Sequence, residues 1–228
     1  MTTPTKNARA EARRREREEE QQAAARKQRL IYAGVGAAVL VVAVVIAVLS
    51  VGETSQRELI TAADIAGDPQ IEGDALPTLT DNGDDPALGL PAPVVDGADF
   101  DGTPVTLGDD AQVIAFLASW CPACDAELPE IVRWLDAGGP PEGVEFVAVS
   151  TQHAAERTNW PPTQWFADAG YDGAIIVDNA DGDIFRAYGA NATPTWVALN
   201  SDGEVVYRSS GMLDPAAFDV ISNLTLTG

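Results

Sequence analysis

One segment of this 228-residue chain contains no charged residue over 22 consecutive positions, LIYAGVGAAVLVVAVVIAVLSV, residues 30–51. At about 1.5 Å per residue, an α-helix of this length spans roughly 33 Å, which is enough to cross a hydrocarbon core of about 30 Å. A buried core helix is a poor alternative, because the flanking sequence could not surround so uniform a run. The sequence therefore predicts a transmembrane helix over residues 30–51.

A cleaved signal peptide is the alternative interpretation of the same segment. The apolar stretch of a signal peptide has about 7–15 residues and follows a short basic start, whereas 29 residues precede this longer run. Ser50 and Gly52 are small enough to form a weak cleavage site, so cleavage stays open as an alternative.

Charge is distributed unequally on the two sides of the apolar run. Residues 1–29 contain nine Lys or Arg and five Glu, whereas residues 52–228 contain five Arg, no Lys and 30 Asp or Glu. Basic residues collect on the cytoplasmic side of membrane helices, so we expect a basic cytoplasmic tail over 1–29 and export of the remainder. The net charge of −21 excludes general nucleic-acid binding, which needs a basic surface.

The predicted exported part divides into a linker and a domain. Residues 52–90 carry nine acidic residues, a single Arg and frequent Gly and Pro, without a sustained strand or helix period. This pattern predicts an acidic flexible linker. Residues 91–228 instead alternate short apolar runs with amphipathic stretches, which is typical of a globular α/β domain.

An Asp-Gly turn at 101–102 predicts a β-hairpin at the start of this domain. The continuously apolar runs predict buried strands, and the helical spacing of apolar residues predicts amphipathic helices. Strands are expected over 112–117, 144–149, 174–177, 195–199 and 205–208, and helices over 126–135, 163–169, 183–188 and after Asp214. This order implies a central sheet with helices on both faces.

The two cysteines of the chain lie in one motif, WCPAC, residues 120–124, between the strand 112–117 and the following helix. The free N–H groups and the dipole of a helix N-terminus favour an anion, so we expect a lowered pKa for Cys121 and attack by its thiolate. Cys124 can then resolve a mixed disulfide by closing a bond to Cys121. This context predicts a redox site whose working group is the cysteine pair itself, without another cofactor.

A structural disulfide and half of a metal site are the alternative uses of the pair. A disulfide that closes so short a loop removes little entropy from the unfolded chain. A metal site needs further ligands, and His153 is the one histidine of the sequence. We therefore predict redox catalysis and no metal site.

The segment VIAFLASWCPACDAELP, residues 113–129, and the run Ala192-Thr193-Pro194-Thr195 together resemble membrane-anchored, extracytoplasmic thioredoxin-like oxidoreductases of the TlpA/ResA family. The resemblance covers roughly residues 91–228. It implies a thioredoxin fold: a central mixed sheet flanked by helices, with an N-terminal β-hairpin and a central insertion near residues 151–170.

The resemblance also implies a substrate-binding surface around the cysteines. Pro194 is expected to be cis and to face the pair, where the main chain of Thr193 can bind an extended substrate. Trp120 and Pro122 complete this surface, although packing alone is the alternative role of Trp120.

Glu127 matches a glutamate of the family and is expected to exchange a proton with Cys124 during resolution. Stabilisation of the helix N-terminus is its alternative role. Two positions depart from the wider pattern: Ala115 replaces the buried aspartate of cytoplasmic thioredoxins, and Asp125 stands where a basic residue is common. The Asp125 carboxylate either raises the pKa of Cys121 by like-charge repulsion or points into solvent.

The family resemblance implies exchange with thiols and disulfides of exported proteins. It favours reduction, as in apocytochrome c maturation, with electrons from a membrane thiol carrier; oxidation by other members of the family is the alternative direction. The cluster Trp160-Pro161-Pro162 with Trp165 is predicted to pack the insertion onto the domain, with a docking surface as the alternative.

A peroxiredoxin and a copper chaperone are the alternative functions for a chain with these cysteines. A peroxiredoxin needs Thr or Ser three residues before its cysteine, where this chain has Ala118. A membrane-anchored copper chaperone would use Cys-x-x-x-Cys with a distant histidine. The spacing here is one residue shorter, although Cys121, Cys124 and His153 could together bind Cu(I).

Overall fold

The computed structural model describes residues 61–80 and 85–227, so the predicted cytoplasmic tail and transmembrane helix lie outside the described residues. In those two ranges, no helix is long and apolar enough to cross a membrane. The described residues form short helices and strands in alternation: α1 Ala62–Ile65, β1 Gln70–Glu72, β2 Val94–Ala98, β3 Pro104–Leu107, β4 Gln112–Leu117, α2 Pro122–Asp136, β5 Glu145–Ser150, α3 Pro162–Asp168, β6 Ala174–Val177, α4 Asp183–Ala187, β7 Thr195–Leu199, β8 Val205–Ser210 and α5 Pro215–Leu224.

Strand β4 is the centre of a five-stranded sheet with the order β6-β5-β4-β7-β8. It pairs in parallel with β5 and antiparallel with β7, so the sheet is mixed. All six residues of β4 are buried, as expected for a strand that is covered on both faces. Because side chains alternate along a strand, Val113 and Leu117 enter one core, whereas Ile114 and Phe116 enter the other.

Two layers cover this sheet. Helices α2, α3 and α5 pack on the face of Val113, where Leu128, Phe166 and Phe218 fill the core. Helix α4 and the strands β2 and β3 pack on the opposite face. The predicted thioredoxin-like α/β fold, with a mixed sheet and helices on both faces, is therefore confirmed.

The structure moves the start of α2 relative to the sequence prediction. The helix begins at Pro122 rather than at residue 126, with Cys121 as its N-cap residue. Proline suits the first helical position because a helix leaves the backbone N–H at that position without a partner.

At α5, the predicted cap is confirmed: the Asp214 carboxylate accepts a hydrogen bond from the Ala216 amide at 2.9 Å.

Strands β2 and β3 form the predicted antiparallel hairpin. The Asp99 carboxylate fixes its turn by accepting hydrogen bonds of 2.8 Å from the amides of Asp101 and Thr103. Strand β1 pairs with β2, with Ile71 opposite Val95, and extends the hairpin to three strands.

Part of the predicted flexible linker is packed onto the domain, which corrects the expectation for residues 76–79; residues 52–60 and 81–84 of this linker lie outside the described residues. The side chains of Leu76 and Leu79 are buried. Their amides donate hydrogen bonds of 2.8 Å to the carbonyls of Ala187 and Gly189. Backbone carbonyls have no sequence signature, and two isolated leucines form no period, so the pattern concealed this contact.

An ion pair fastens the same segment. The side chain of Arg208 is fully buried and pairs with the carboxylate of Asp85, and this pairing holds the pKa of Asp85 below its usual range. The guanidinium also donates to the carbonyls of Pro77 at 3.0 Å and Tyr188 at 2.9 Å. Arg208 of strand β8 therefore holds Asp85, Pro77 and Tyr188 in place through its guanidinium group.

Candidate active site

Both cysteines lie at the amino end of α2, just beyond the buried end of β4. Cys121 has 7% of its surface exposed, whereas Cys124 has none. Both are thiols in this structure. The first thiol is thus accessible to a reagent or substrate, and the second is enclosed behind it.

The helix N-terminus and the Thr193 side chain favour the thiolate of Cys121. Burial raises the pKa of this thiol, but a hydrogen bond from the Thr193 side chain lowers it. Hydrogen bonds from the Cys124 amide and thiol and from the Ala123 amide lower it further. Together they outweigh burial, so the pKa of Cys121 lies below its usual value of 9.0.

Cys124 is shifted in the opposite direction. Burial raises its pKa far above 9.0, and a hydrogen bond with the Ala118 backbone only partly compensates. The hydrogen bond and the charge of Cys121 raise it further. The pair therefore consists of one thiol that ionises more readily than an ordinary cysteine and one that holds its proton.

The loop before β7 lies against Cys121, as predicted. The Thr193–Pro194 peptide bond is cis, and the Cys121 thiol donates a hydrogen bond of 3.2 Å to the Thr193 carbonyl. Pro194 is buried and Thr193 is half-buried. The Pro194 carbonyl accepts a hydrogen bond of 2.8 Å from the Gly211 amide, which fixes the loop to the chain beyond β8.

Glu127 is fully buried on α2. Its carboxylate accepts a hydrogen bond of 2.6 Å from the Leu213 amide and one of 3.1 Å from the Trp196 indole. Burial raises the pKa of Glu127 to about 7, although these two hydrogen bonds lower it. The side chain is therefore a titrating group near neutral pH, three residues after Cys124 on the same helix.

Trp120 is half-buried, and its indole N–H donates a hydrogen bond of 2.6 Å to the Gln152 carbonyl. The guanidinium of Arg157 lies 4.5 Å from its ring centroid, a cation–π distance. Both the packing role and the substrate-facing role remain compatible with this position. Pro122, at the first turn of α2, is exposed beside it.

The Asp125 carboxylate has a role that the sequence did not indicate. It accepts hydrogen bonds of 2.9 Å from the Asn159 amide group and from the Trp165 indole. Asn159 also donates to the Ser119 carbonyl at 3.0 Å. The insertion is therefore bonded to the residues on both sides of the cysteine motif. The sequence carries no signal for Asn159 beyond the tolerance of asparagine for left-handed backbone, which it adopts with φ 58°.

The apolar cluster of the insertion packs as predicted, since Trp160 and Trp165 are only 5% and 7% exposed.

His153 follows β5, and its Nε2 lies 3.1 Å from the Ser150 hydroxyl. Burial lowers the pKa of His153 to about 4, so the ring is neutral near pH 7. Within the part of the chain that the structure describes, no three His, Cys, Asp or Glu side chains are grouped so as to hold a metal ion.

Parts of this chain are similar in sequence to known proteins. The chain is 28% identical over 108 residues to the sporulation thiol-disulfide oxidoreductase A of Bacillus subtilis, covering 46% of this chain and 64% of that protein. It is 30% identical over 119 residues to the soluble secreted antigen MPT53 of Mycobacterium tuberculosis, covering 52% and 63%. It is also 30% identical over 117 residues to the thiol-disulfide oxidoreductase ResA of Halalkalibacterium halodurans, covering 50% and 62%.

The chain thus spans a little less than two thirds of the length of each of these relatives. A family model described as Redoxin matches residues 71–221. This match extends over more than half of the chain and includes Cys121, Cys124 and Pro194, and the protein is therefore a member of the redoxin family.

Proposed function

We propose that the protein is a thiol–disulfide oxidoreductase that reduces disulfides of exported proteins through Cys121 and Cys124. The observation that carries this proposal is the placement of two free thiols at one helix N-terminus beside the Thr193 carbonyl, with Cys121 partly exposed and Cys124 fully buried. Their pKa values are displaced in opposite directions, lowered for Cys121 and raised for Cys124. A disulfide exchanger needs this difference, because the exposed sulfur must attack the substrate before the buried sulfur resolves the mixed disulfide.

In the first step, the Cys121 thiolate attacks one sulfur of the substrate disulfide. The Cys121–substrate bond forms as the substrate S–S bond breaks, and the released substrate sulfur leaves as a thiolate that takes a proton from water. The partial exposure of Cys121 permits this approach, whereas the burial of Cys124 excludes the second thiol from it.

In the second step, Cys124 loses its proton and attacks the sulfur of Cys121. The Cys121–Cys124 disulfide forms, the mixed disulfide breaks, and the substrate leaves with two thiols. Two electrons have moved from the cysteine pair to the substrate.

We assign the proton of Cys124 to Glu127, because the two residues are neighbours at i and i+3 on α2. Burial raises the pKa of Glu127 to about 7, which suits proton transfer near neutral pH.

We assign substrate binding to Thr193, Pro194, Trp120 and Pro122. The Thr193 carbonyl lies 3.2 Å from the sulfur of Cys121, so a peptide bound along the Thr193–Pro194 backbone would bring its own sulfur to the same place. Trp120 and Pro122 lie on the two sides of Cys121 in the chain and offer apolar surface there.

The proposed location is outside the cytoplasmic membrane, with residues 1–29 in the cytoplasm and residues 30–51 as the anchor. The distribution of charge about the apolar run supports this orientation, and one relative is itself described as a secreted antigen. In this location, a thiol carrier of the membrane would return two electrons to the Cys121–Cys124 disulfide after each turnover.

Trapping experiments on the purified full-length protein test the proposed exchange. Cys124→Ser should accumulate a mixed disulfide with a protein substrate such as insulin, because Cys121 can attack but nothing resolves the product. Cys121→Ser should accumulate far less, because Cys124 is buried and its pKa is raised. Equal trapping by the two variants, or none by either, would contradict the assignment of roles.

The reduction potential tests the direction separately. A midpoint of roughly −270 mV would support a reductant, whereas one of roughly −120 mV would mark an oxidant. The second result would overturn the reducing direction while leaving the exchange chemistry of Cys121 and Cys124 intact.

A further inference from the structure

A cleft of about 360 Å³ lies between α2 and the insertion helix α3. Aromatic rings, prolines and two carboxylates form most of its wall. The residues that matter here are Asp125, Pro129, Trp160, Pro161, Trp165 and Asp168.

The cleft opens one helical turn from the attacking cysteine. Asp125 follows Cys121 by four residues, and its amide donates a hydrogen bond of 3.0 Å to the Cys121 carbonyl. Pro129 follows Asp125 by another four residues on the same side of α2, because positions i and i+4 are neighbours on a helix surface. A polypeptide joined to Cys121 through a disulfide therefore has its next few residues within reach of the cleft.

The two carboxylates are held in place without being neutralised. Asp125 accepts its hydrogen bonds from the neutral groups of Asn159 and Trp165. Asp168 accepts one of 2.6 Å from the neutral amide group of Gln164. Among the described residues that line the cleft, none is Lys or Arg, so the negative charge of both aspartates remains available to a ligand.

We propose that this cleft binds a lysine or arginine side chain of the substrate polypeptide, within a few residues of the cysteine that reacts with Cys121. The proposal rests on the proposed function and names a feature of its substrates. The aliphatic stem of such a side chain can pack on Pro129 and Pro161, with its cationic head beside the carboxylates of Asp125 and Asp168.

Charge and shape both favour this occupant over an acidic or neutral one. Trp160 and Trp165 form part of the wall, but their side chains are almost fully buried, so the two carboxylates supply the attraction for a cation. Residues 91–228 contain 21 acidic residues and four Arg, so the surrounding field attracts basic polypeptides and repels acidic ones. The cleft adds a defined position for one charge to this general attraction.

Paired peptides test the proposal with the reduced full-length protein. Each peptide carries one cysteine in a mixed disulfide with a chromogenic thiol, and a single Arg or a single Gln at one position from four residues before to four residues after it. The rate constant of reduction is measured for both members of each pair. For the wild type, we expect the Arg peptide to react about two- to five-fold faster in at least one register, a range typical of one exposed ion pair.

Two variants locate the effect. Asp168→Asn and Asp125→Asn retain a hydrogen-bond acceptor and remove the charge, so each should lower the Arg/Gln ratio towards the value set by the remaining carboxylate and the general negative charge of the domain. Asp172→Asn removes an exposed charge outside the cleft and should leave the ratio as in the wild type. Added salt should reduce the wild-type ratio.

The outcomes separate this proposal from the proposed function. If all peptides are reduced and the wild type shows no preference, or if Asp172→Asn lowers the ratio as much as Asp168→Asn, the cleft is not a binding site for a basic side chain. If no peptide is reduced, the proposed function itself fails.

Discussion

The substitution Glu127→Gln tests whether one buried carboxyl makes the stability of the domain depend on pH. Burial raises the pKa of Glu127 from an ordinary value of 4.5 to about 7. A group whose pKa is raised by folding stabilises the folded state fully below its unfolded pKa, and this stabilisation disappears as pH rises through the folded pKa. For Glu127, the loss falls between about pH 4.5 and pH 7.

The size of this effect follows from the two pKa values. Their separation corresponds to about 3 kcal/mol at about 1.4 kcal/mol per pH unit, and most of it is lost between pH 5 and pH 8. Glutamine has the same shape without the titration. Its amide also turns one acceptor into a donor facing the Leu213 amide or the Trp196 indole, which adds a cost of about 1–3 kcal/mol that does not change with pH.

Urea unfolding at about pH 5 and pH 8 measures both contributions, with the cysteines kept reduced. We expect the stability advantage of the wild type over Glu127→Gln to be about 2–3 kcal/mol smaller at pH 8 than at pH 5. Comparing the two proteins cancels the titration of His153 and of other shared groups. Glu142→Gln, at an exposed position, is the control and should show no such change. A difference that stays constant to within about 0.5 kcal/mol would refute the raised pKa of Glu127.

Two further substitutions test the packing of the segment before β2. Asp85→Asn leaves the buried guanidinium of Arg208 without its counter-charge, and urea unfolding should show a loss of about 3 kcal/mol; a loss below about 1 kcal/mol would contradict a tight ion pair. Gly189→Ala would place its Cβ 2.3 Å from the Pro77 carbonyl oxygen at φ +68°, so we expect a loss above about 2 kcal/mol. Gly102→Ala, with φ +84° and nothing within 4 Å, should lose only about 1 kcal/mol, and equal losses would show that the contact with Pro77 is unimportant.

The central features of the fold were predictable from local pattern. An uninterrupted apolar run predicted β4 with its observed ends, because a strand buried on both faces has apolar residues at every position. The helix after the cysteines was visible from its 3.6-residue period, and only its first turn was missed. That turn is the cysteine motif itself, where Pro122 and the small Ala123 interrupt the amphipathic pattern.

The contacts that organise the site and the segment before β2 depend on residues far apart in the chain. Asn159 and Asp125 are separated by 34 residues, and Arg208 and Asp85 by 123. Neither pair has a period or a motif, since a hydrogen bond between two polar side chains needs only that the fold brings them together. The packing of the residues before β2 was missed for the same reason.

Glu127 shows how a local expectation and a distant contact combine. Trp196 stands opposite Ala115 in the ladder between β4 and β7, and its indole holds the Glu127 carboxylate. The carboxyl group of Glu127 therefore lies beside the central sheet, although Glu127 belongs to helix α2. Strand β4 itself contributes only the methyl group of Ala115 at this place. Its helix position also makes Glu127 a neighbour of Cys124. In the proposed mechanism, a carboxyl with an ordinary pKa would be too weak a base to take a proton from a buried thiol, whereas one with its pKa raised to about 7 is better suited to accept that proton near neutral pH. Burial raises the pKa of Glu127. The same property therefore lowers the stability of the domain at high pH and, in the proposed mechanism, suits the carboxyl group to proton transfer.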